Sequence, residues 1–119
     1  MSKIIKKKVI REIDELRNIN NSRYITDRVA KKAKNILSLI NDKYFEYIDY
    51  SYATTWHTYC IDFSKDKNLF SLEVGYKKLG YFTELNDNLH KQIDFIDIET
   101  EENIKEAILE IETDLEILF

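Results

Sequence analysis

The amino-acid sequence predicts a single α+β domain over residues 1–119, with an N-terminal helical hairpin, an antiparallel meander of four to five strands and a C-terminal amphipathic helix. Two observations predict this order of elements. Apolar residues recur at helical spacing near both ends of the chain, whereas the middle alternates with a period of two. In addition, no linker, repeat or low-complexity segment divides the chain, and its length is common for one domain.

The helical hairpin is expected from two apolar stripes at spacings of three and four residues, separated by a polar break at residues 18–22. Ser22 or Thr26 can cap the second helix, because both are favoured N-cap residues. The first stripe consists of Ile5, Val9, Ile13 and Leu16, and the second of Ile25, Val29, Ala33, Ile36 and Ile40.

The sheet is expected to begin after Lys43, where Tyr, Phe, Ile and Thr become dense. Its strands should occupy residues 44–50, 55–64, 69–76, 79–85 and 91–98. In the second strand, alternation places Tyr59, Ile61 and Phe63 on one face. In the third strand, the alternate residues should face the core, namely Phe70, Leu72, Val74 and Tyr76. Short connections make strands two to four a meander. The fifth strand is the least regular, because its apolar residues fall on both faces.

The last helix has the clearest signal. Thr100 is a favoured N-cap residue, and acidic residues in the first turn suit the positive end of the helix dipole. The stripe that should dock on the sheet or on the helical hairpin is Ile104, Ile108, Ile111, Leu115 and Leu118. The opposite face carries Glu102, Glu106, Leu109, Glu110 and Glu116.

The composition is typical of a soluble cytoplasmic protein. Apolar runs of a few residues fall short of the ~20 that cross a bilayer, and the basic residues 3–8 precede no signal-peptide apolar region. The lone Cys60 cannot form an intramolecular disulfide, which agrees with a reducing compartment. With only two glycines, the chain has little to build a phosphate-binding loop from.

Charge is distributed unevenly along the chain. Residues 1–34 contain eleven basic and four acidic residues, whereas the remainder contains seven basic and eighteen acidic ones. The basic first helix offers Lys6, Lys7 and Arg11 for contacts with nucleic-acid phosphates, although nearby carboxylates interrupt it. The acidic remainder favours a basic partner.

No catalytic, metal or cofactor motif is recognised in the sequence, so we expect a protein that is not an enzyme and uses no cofactor. His57 and Cys60 would point to opposite faces of a strand, and one further histidine is too little for a metal site. Asp62 and Glu73 resemble the acidic pair of metal-dependent nucleases, but Gly75 occupies the position where those enzymes carry a lysine.

Two features favour protein binding. The aromatic residues between positions 44 and 59 exceed what one face of two strands needs, and aromatics are frequent interface anchors. The acidic face of the last helix also surrounds one leucine. The candidate partner-binding residues are Tyr47, Tyr50, Tyr52, Trp56, Glu102, Glu106, Leu109 and Glu110. Each feature also has an ordinary interpretation. The aromatics can form a tyrosine-rich edge of the core, and the acidic residues of the last helix can form a solvated helix face.

Parts of the chain resemble known groups of small proteins. A strand tryptophan, two short motifs and a closing acidic helix resemble uncharacterised α+β proteins of bacterial genomes and mobile elements. The residues that carry this resemblance are Trp56, Leu72-Glu73-Val74-Gly75 and Gly80-Tyr81-Phe82. In size, charge and lack of enzymatic motifs, the chain is also similar to phage-encoded inhibitors of host defence, including anti-CRISPR proteins. That similarity implies an inhibitor or immunity-type protein.

The leading hypothesis is therefore a non-catalytic module that binds a basic protein through an acidic and aromatic surface. A regulator that contacts nucleic acid through the first helix is one alternative. The antitoxin of a toxin–antitoxin pair is another. A homodimer is also compatible with the surplus of aromatic residues.

Overall fold

A computed structural model describes residues 1–19, 25–54 and 57–119, with side chains described up to residue 15 in the first segment. Along the chain come α1 (Ser2–Ile19), α2 (Asp27–Leu39), a 3₁₀ helix (Asp42–Tyr47), β1 (Ile48–Ala53), β2 (Tyr59–Lys65), β3 (Asn68–Val74), β4 (Lys78–Leu85), β5 (Asn88–Asp97) and α3 (Glu101–Leu118). All five strands pair antiparallel in the order β1-β2-β3-β4-β5, which is a meander. The predicted α+β fold is confirmed.

One face of the sheet, which we call the inner face, packs against the helices. α2 packs on β2 and β3, α3 packs on β3 and β5, and α1 packs on α2 and the 3₁₀ helix. From α1, Val9 and Ile13 reach the core, while Leu16 lies outside the described side chains. The strands contribute buried residues at alternate positions: Tyr59, Ile61, Phe63, Phe70, Leu72, Val74, Leu79 and Tyr81. The intervening residues form the outer face.

The helix caps agree with the sequence. Thr100 caps α3 by accepting a hydrogen bond from the Asn103 amide at 3.1 Å. Thr26 caps α2 in the same way, from the Val29 amide at 3.3 Å, and Ser22 lies outside the described residues. The predicted apolar stripes of α2 and α3 are buried throughout.

The predicted first strand, residues 44–50, is wrong over most of its length. The chain stays in a 3₁₀ helix through Tyr47. Asn41 caps this helix, because its side chain accepts a hydrogen bond at 3.0 Å from the backbone amide two residues later. Tyr44 and Phe45 are both buried. Two consecutive residues cannot both face the core from an alternating strand, so packing favours the helical turn.

Two further strand boundaries differ from the prediction. β2 begins at Tyr59 rather than residue 55, since His57 has a positive φ of 59°, which breaks the extended backbone. Residues 55 and 56 lie outside the described chain. β3 ends at Val74. Tyr76 therefore lies beyond the alternating segment and is 44% exposed, not directed inward as predicted.

β5 starts at Asn88, before the predicted residue 91. Its pairing with β4 changes register between Leu79 and Tyr81 and again between Thr83 and Glu84. Each irregularity shifts the alternation of the side chains. The bulges explain why the apolar residues of this strand fall on both faces.

Lys6 holds the C-terminal end of α2. Its ammonium donates hydrogen bonds to the carbonyl oxygens of Ser38 at 2.8 Å and Ile40, and to the carboxylate of Asp42 at 2.8 Å. Helix C-termini leave carbonyl groups without intrahelical donors. The Lys6 ammonium donates to two such carbonyl oxygens. The side chain is buried, so Lys6 does not belong to the exposed cations among which the sequence analysis placed it.

Candidate partner-binding surfaces

The outer face of the sheet is acidic. The outward positions of β2, β3 and β4 carry Asp62, Glu73 and Glu84 but one cation, Lys78. Asp94 of β5 adds a further carboxylate beside them. In the described part of the chain, the helices all pack on the inner side, so this face is left to solvent or to a partner.

Tyr50 and Tyr52 of β1 border the outer face. The strand register pairs Tyr50 with Asp62 and Tyr52 with Cys60, so both rings project outward. Their centroids lie 5.0 Å apart, and the residues are 59% and 38% exposed. The expectation that some aromatics between positions 44 and 59 are exposed is confirmed for Tyr50 and Tyr52.

A groove of about 220 Å³ crosses the middle of the outer face. Gly80 forms its floor, because a Cβ at this position would lie 2.8 Å from the carbonyl oxygen of Asp94 and 2.9 Å from that of Ile93. Any larger residue there would have to move the backbone of the bulge. The lining includes Tyr52, Ser71, Glu73, Phe82, Gln92 and Asp94. Aromatic rings and carboxylates together suit a cationic side chain.

The carboxylates of the outer face differ in their hydrogen bonding. The Thr58 hydroxyl donates to Oε2 of Glu73 at 2.6 Å. By contrast, Oδ1 of Asp62 is buried and accepts no hydrogen bond from the residues that the structure describes. A buried acceptor without a donor costs free energy.

The Cys60 thiol stays protonated at neutral pH. Burial, reinforced by the charge of Glu73, raises the pKa of Cys60 to about 11. A hydrogen bond to Cys60 raises the pKa of Tyr52 to about 12. Since the thiolate is the nucleophilic form of cysteine, this thiol is not activated for nucleophilic attack.

Tyr47, another of the predicted aromatics, lies apart from this surface. The ring of Tyr47 stacks on Phe119 with centroids 4.9 Å apart, and the ammonium of Lys65 lies 5.4 Å from the same ring. Tyr47 therefore packs the C-terminal residue against the 3₁₀ helix. Trp56 lies outside the described residues.

The acidic residues of α3 form a second, separate surface. Glu102 and Glu106 are exposed, Leu109 is 71% exposed, and Glu110 lies 3.5 Å from the ammonium of Lys91. Because α3 packs on the inner face of the sheet, its exposed side points away from the outer face. Tyr50 and Tyr52 therefore lie on a different surface from Glu102, Glu106, Leu109 and Glu110.

Asp114 is a buried carboxylate that the sequence analysis missed. Its Oδ2 accepts hydrogen bonds from the Tyr81 hydroxyl and, at 3.0 Å, from the Lys91 ammonium. Burial and this hydrogen bond raise the pKa of Tyr81, and the hydrogen bond to Asp114 raises the pKa of Lys91. These contacts join α3 to β4 and β5. The sequence does carry a signal, because Asp114 follows Ile111 by three residues and so falls within the apolar stripe.

A larger cleft of about 840 Å³ adjoins the groove and shares Glu73, Gly80 and Asp94 with it. It extends to the start of α2 and the β3–β4 connection, where its lining mixes cations with carboxylates, among them Arg28, Lys77 and Asp27. Within the described ranges, no group of three or more His, Cys, Asp or Glu residues is arranged to hold a metal ion. No described helix has the length and apolar character needed to cross a membrane. Comparisons found no matching family model, no matching curated protein and no matching solved structure.

Proposed function

We propose that the chain is a non-catalytic protein-binding module of the inhibitor or immunity type, and that it binds a basic protein through the outer face of its sheet. The observation that carries this proposal is the outer face itself, where carboxylates and exposed tyrosines lie together. An antiparallel sheet often leaves one face to water. Exposed aromatics beside a groove are less ordinary, and they are typical anchors of interfaces.

Electrostatics support a basic partner. The groove has Glu73 and Asp94 in its lining, and Asp62 pairs in register with Ser71, which also lines it. An arginine or lysine from the partner would meet carboxylates, while Tyr52 and Phe82 would contact its aliphatic stem. Complementary charge also accelerates encounter between the two proteins.

Affinity capture with matched variants tests the proposal. The immobilised wild-type chain should retain a basic protein in stoichiometric amount from a lysate of the source organism. Tyr50→Ser/Asp94→Asn removes one tyrosine and one carboxylate from the outer face and should lose this protein. The control Leu39→Ser/Glu99→Gln removes one exposed apolar side chain and one carboxylate from positions outside the groove and should retain it. Equal retention by all three chains, or no retention by the wild type, contradicts the proposal.

A further inference from the structure

The exposed side of α1 is basic around one exposed apolar residue. Ile4 is 69% exposed. Lys7 and Lys8 follow it by three and four residues and Arg11 by seven, so all of them lie on the same side of the helix. Each of these cations is exposed. With Lys6 buried against α2, the exposed cations of this helix flank an isoleucine.

The exposed side of α3 has the opposite character. Leu109 is exposed, Glu106 precedes it by three residues and Glu102 by seven. Glu110, next to Leu109, shares the ammonium of Lys91 and is partly exposed. One cation, Lys105, interrupts this acidic surface. α3 therefore presents a leucine flanked by carboxylates.

The two patterns coincide when the helices run antiparallel. At about 1.5 Å per residue, seven residues span roughly 10 Å in each helix. If Ile4 contacts Leu109, then Lys7 lies beside Glu106 and Arg11 beside Glu102, while Lys8 lies beside Lys105. A parallel arrangement would place Arg11 beside Glu116. That carboxylate already accepts a hydrogen bond from Tyr44 at 2.7 Å and lies 3.4 Å from the Lys43 ammonium. Arg11 lies 4.0 Å from Glu15 on its own helix, and in the antiparallel contact Glu102 would share this exposed guanidinium.

We propose that the chain self-associates, with the exposed side of α1 of one copy packed antiparallel on the exposed side of α3 of a second copy. The contact joins two different surfaces, so it is heterologous. It uses neither Tyr50 nor the groove of the outer face and is independent of the function proposed above. One pair of apolar residues contributes little area, so the attraction is mainly electrostatic and sensitive to salt, since the screening length falls from about 30 Å at 10 mM to about 3 Å at 1 M.

Two charge-reversed variants test the contact. Lys3, next to Ile4, is also exposed. Lys3→Glu/Lys7→Glu makes α1 less basic at its N-terminal end, where the helix dipole favours acidic residues. Glu102→Lys/Glu106→Lys makes α3 less acidic and spares Glu110. Circular dichroism melts first test whether both variants fold. Sedimentation equilibrium then gives the mean mass of each chain alone and of an equimolar mixture, at 10 mM and at 1 M salt.

The mean mass of the wild-type protein should exceed the monomer mass of 14.3 kDa at 10 mM salt and approach it at 1 M salt. Each variant alone should remain monomeric, because one of its two surfaces no longer carries the charge that attracts the other. The mixture should associate again, because the α1 and α3 surfaces of the two variants are complementary. A monomeric mixture, or variants that associate alone like the wild type, would overturn the proposal. A wild type that stays monomeric and gains mass only with duplex DNA would overturn it too, in favour of nucleic-acid binding by α1.

Lys105→Glu sharpens the test through a gain of association. In the antiparallel contact Lys105 and Lys8 each lie four residues from the central apolar pair, on the same side, so two like charges meet. Replacing Lys105 by glutamate turns this repulsion into an attraction of the size measured for exposed ion pairs, and the association constant should rise about twofold to fivefold at low salt. Sedimentation equilibrium at 10 mM salt measures the change. A weaker or unchanged association would count against the antiparallel register.

Discussion

Polar side chains serve different purposes on the two faces of the sheet. On the inner face, Asp114 accepts hydrogen bonds from Tyr81 and Lys91, and these bonds link α3 to two strands. On the outer face, Asp94 accepts a hydrogen bond at 2.8 Å from Gln92, two residues away in the same strand. Contacts between separate elements stabilise the fold, whereas contacts within one strand change little when they are lost. Substitutions of Asp114 and Tyr81 should therefore affect folding, and those of Tyr50 and Asp94 binding.

The largest effect is expected at Ile111, which is fully buried between α3 and the sheet. Ile111→Ala removes packing and leaves a cavity, so the free energy of unfolding should fall by about 2–5 kcal/mol. Urea melts measure this change. Ile117→Ala on the same helix is the control, because Ile117 is exposed and its truncation should change stability by less than about 0.5 kcal/mol. Equal effects of the two substitutions would mean that α3 does not pack as described.

The buried carboxylate should have the next largest effect. Asp114→Ala leaves the Tyr81 hydroxyl and the Lys91 ammonium without their acceptor, which should cost about 1–3 kcal/mol in urea melts. Asp114→Asn keeps an acceptor oxygen and should cost less. Alanine and asparagine variants of equal stability would show that these hydrogen bonds do not hold α3 to the sheet.

The parts of the fold that were predicted correctly depend on local signals. The apolar stripe of α3, its N-cap and the alternation of β3 can each be recognised from residues that are close together in the sequence. The first strand was misassigned because burial of both Tyr44 and Phe45 is decided by the tertiary structure. β-propensity alone carries no information on such packing.

Long-range contacts also decided which candidate residues stay exposed. Tyr50 and Tyr52 were expected at the surface and lie there. Tyr47 has the same side chain, but Phe119, at the far end of the chain, covers its ring. Lys6 reads as one more cation of a basic helix, yet its hydrogen-bond acceptors lie 32 or more residues later in the sequence. Spacing within a helix does not reveal such partners.

Alkaline pH should lower the free energy of unfolding by a smaller amount, in part through Tyr81 on the inner face. Burial and the bond to Asp114 raise the pKa of Tyr81 above the ordinary value of 10.0. Above pH 10 the unfolded chain has lost the proton that the folded chain keeps, so the free energy of unfolding falls as pH rises. One pH unit above the ordinary value, this loss reaches about 1.4 kcal/mol.

Tyr81→Phe should remove this part of the alkaline loss, whereas Tyr50→Phe on the outer face serves as the control and should keep it. Urea melts at pH 8, 10 and 11 give the dependence of the free energy of unfolding on pH for the wild type and the two variants. If wild type and Tyr81→Phe lose stability in parallel above pH 10, the Tyr81 hydroxyl is not held in its neutral form by the inner-face cluster.

The smallest effect on folding is expected for Tyr50→Ser/Asp94→Asn, although this variant should have the largest effect on binding. Both side chains are exposed, and substitutions at exposed positions usually change stability by less than about 0.5 kcal/mol. Combined with Asp114→Ala, its effect on the free energy of unfolding should add, because the substituted groups lie on opposite faces of the sheet. A loss above about 1 kcal/mol for the outer-face variant alone would place these residues among those that hold the fold. Weakened partner binding would then report unfolding of the module, and the division of labour between the two faces would fail.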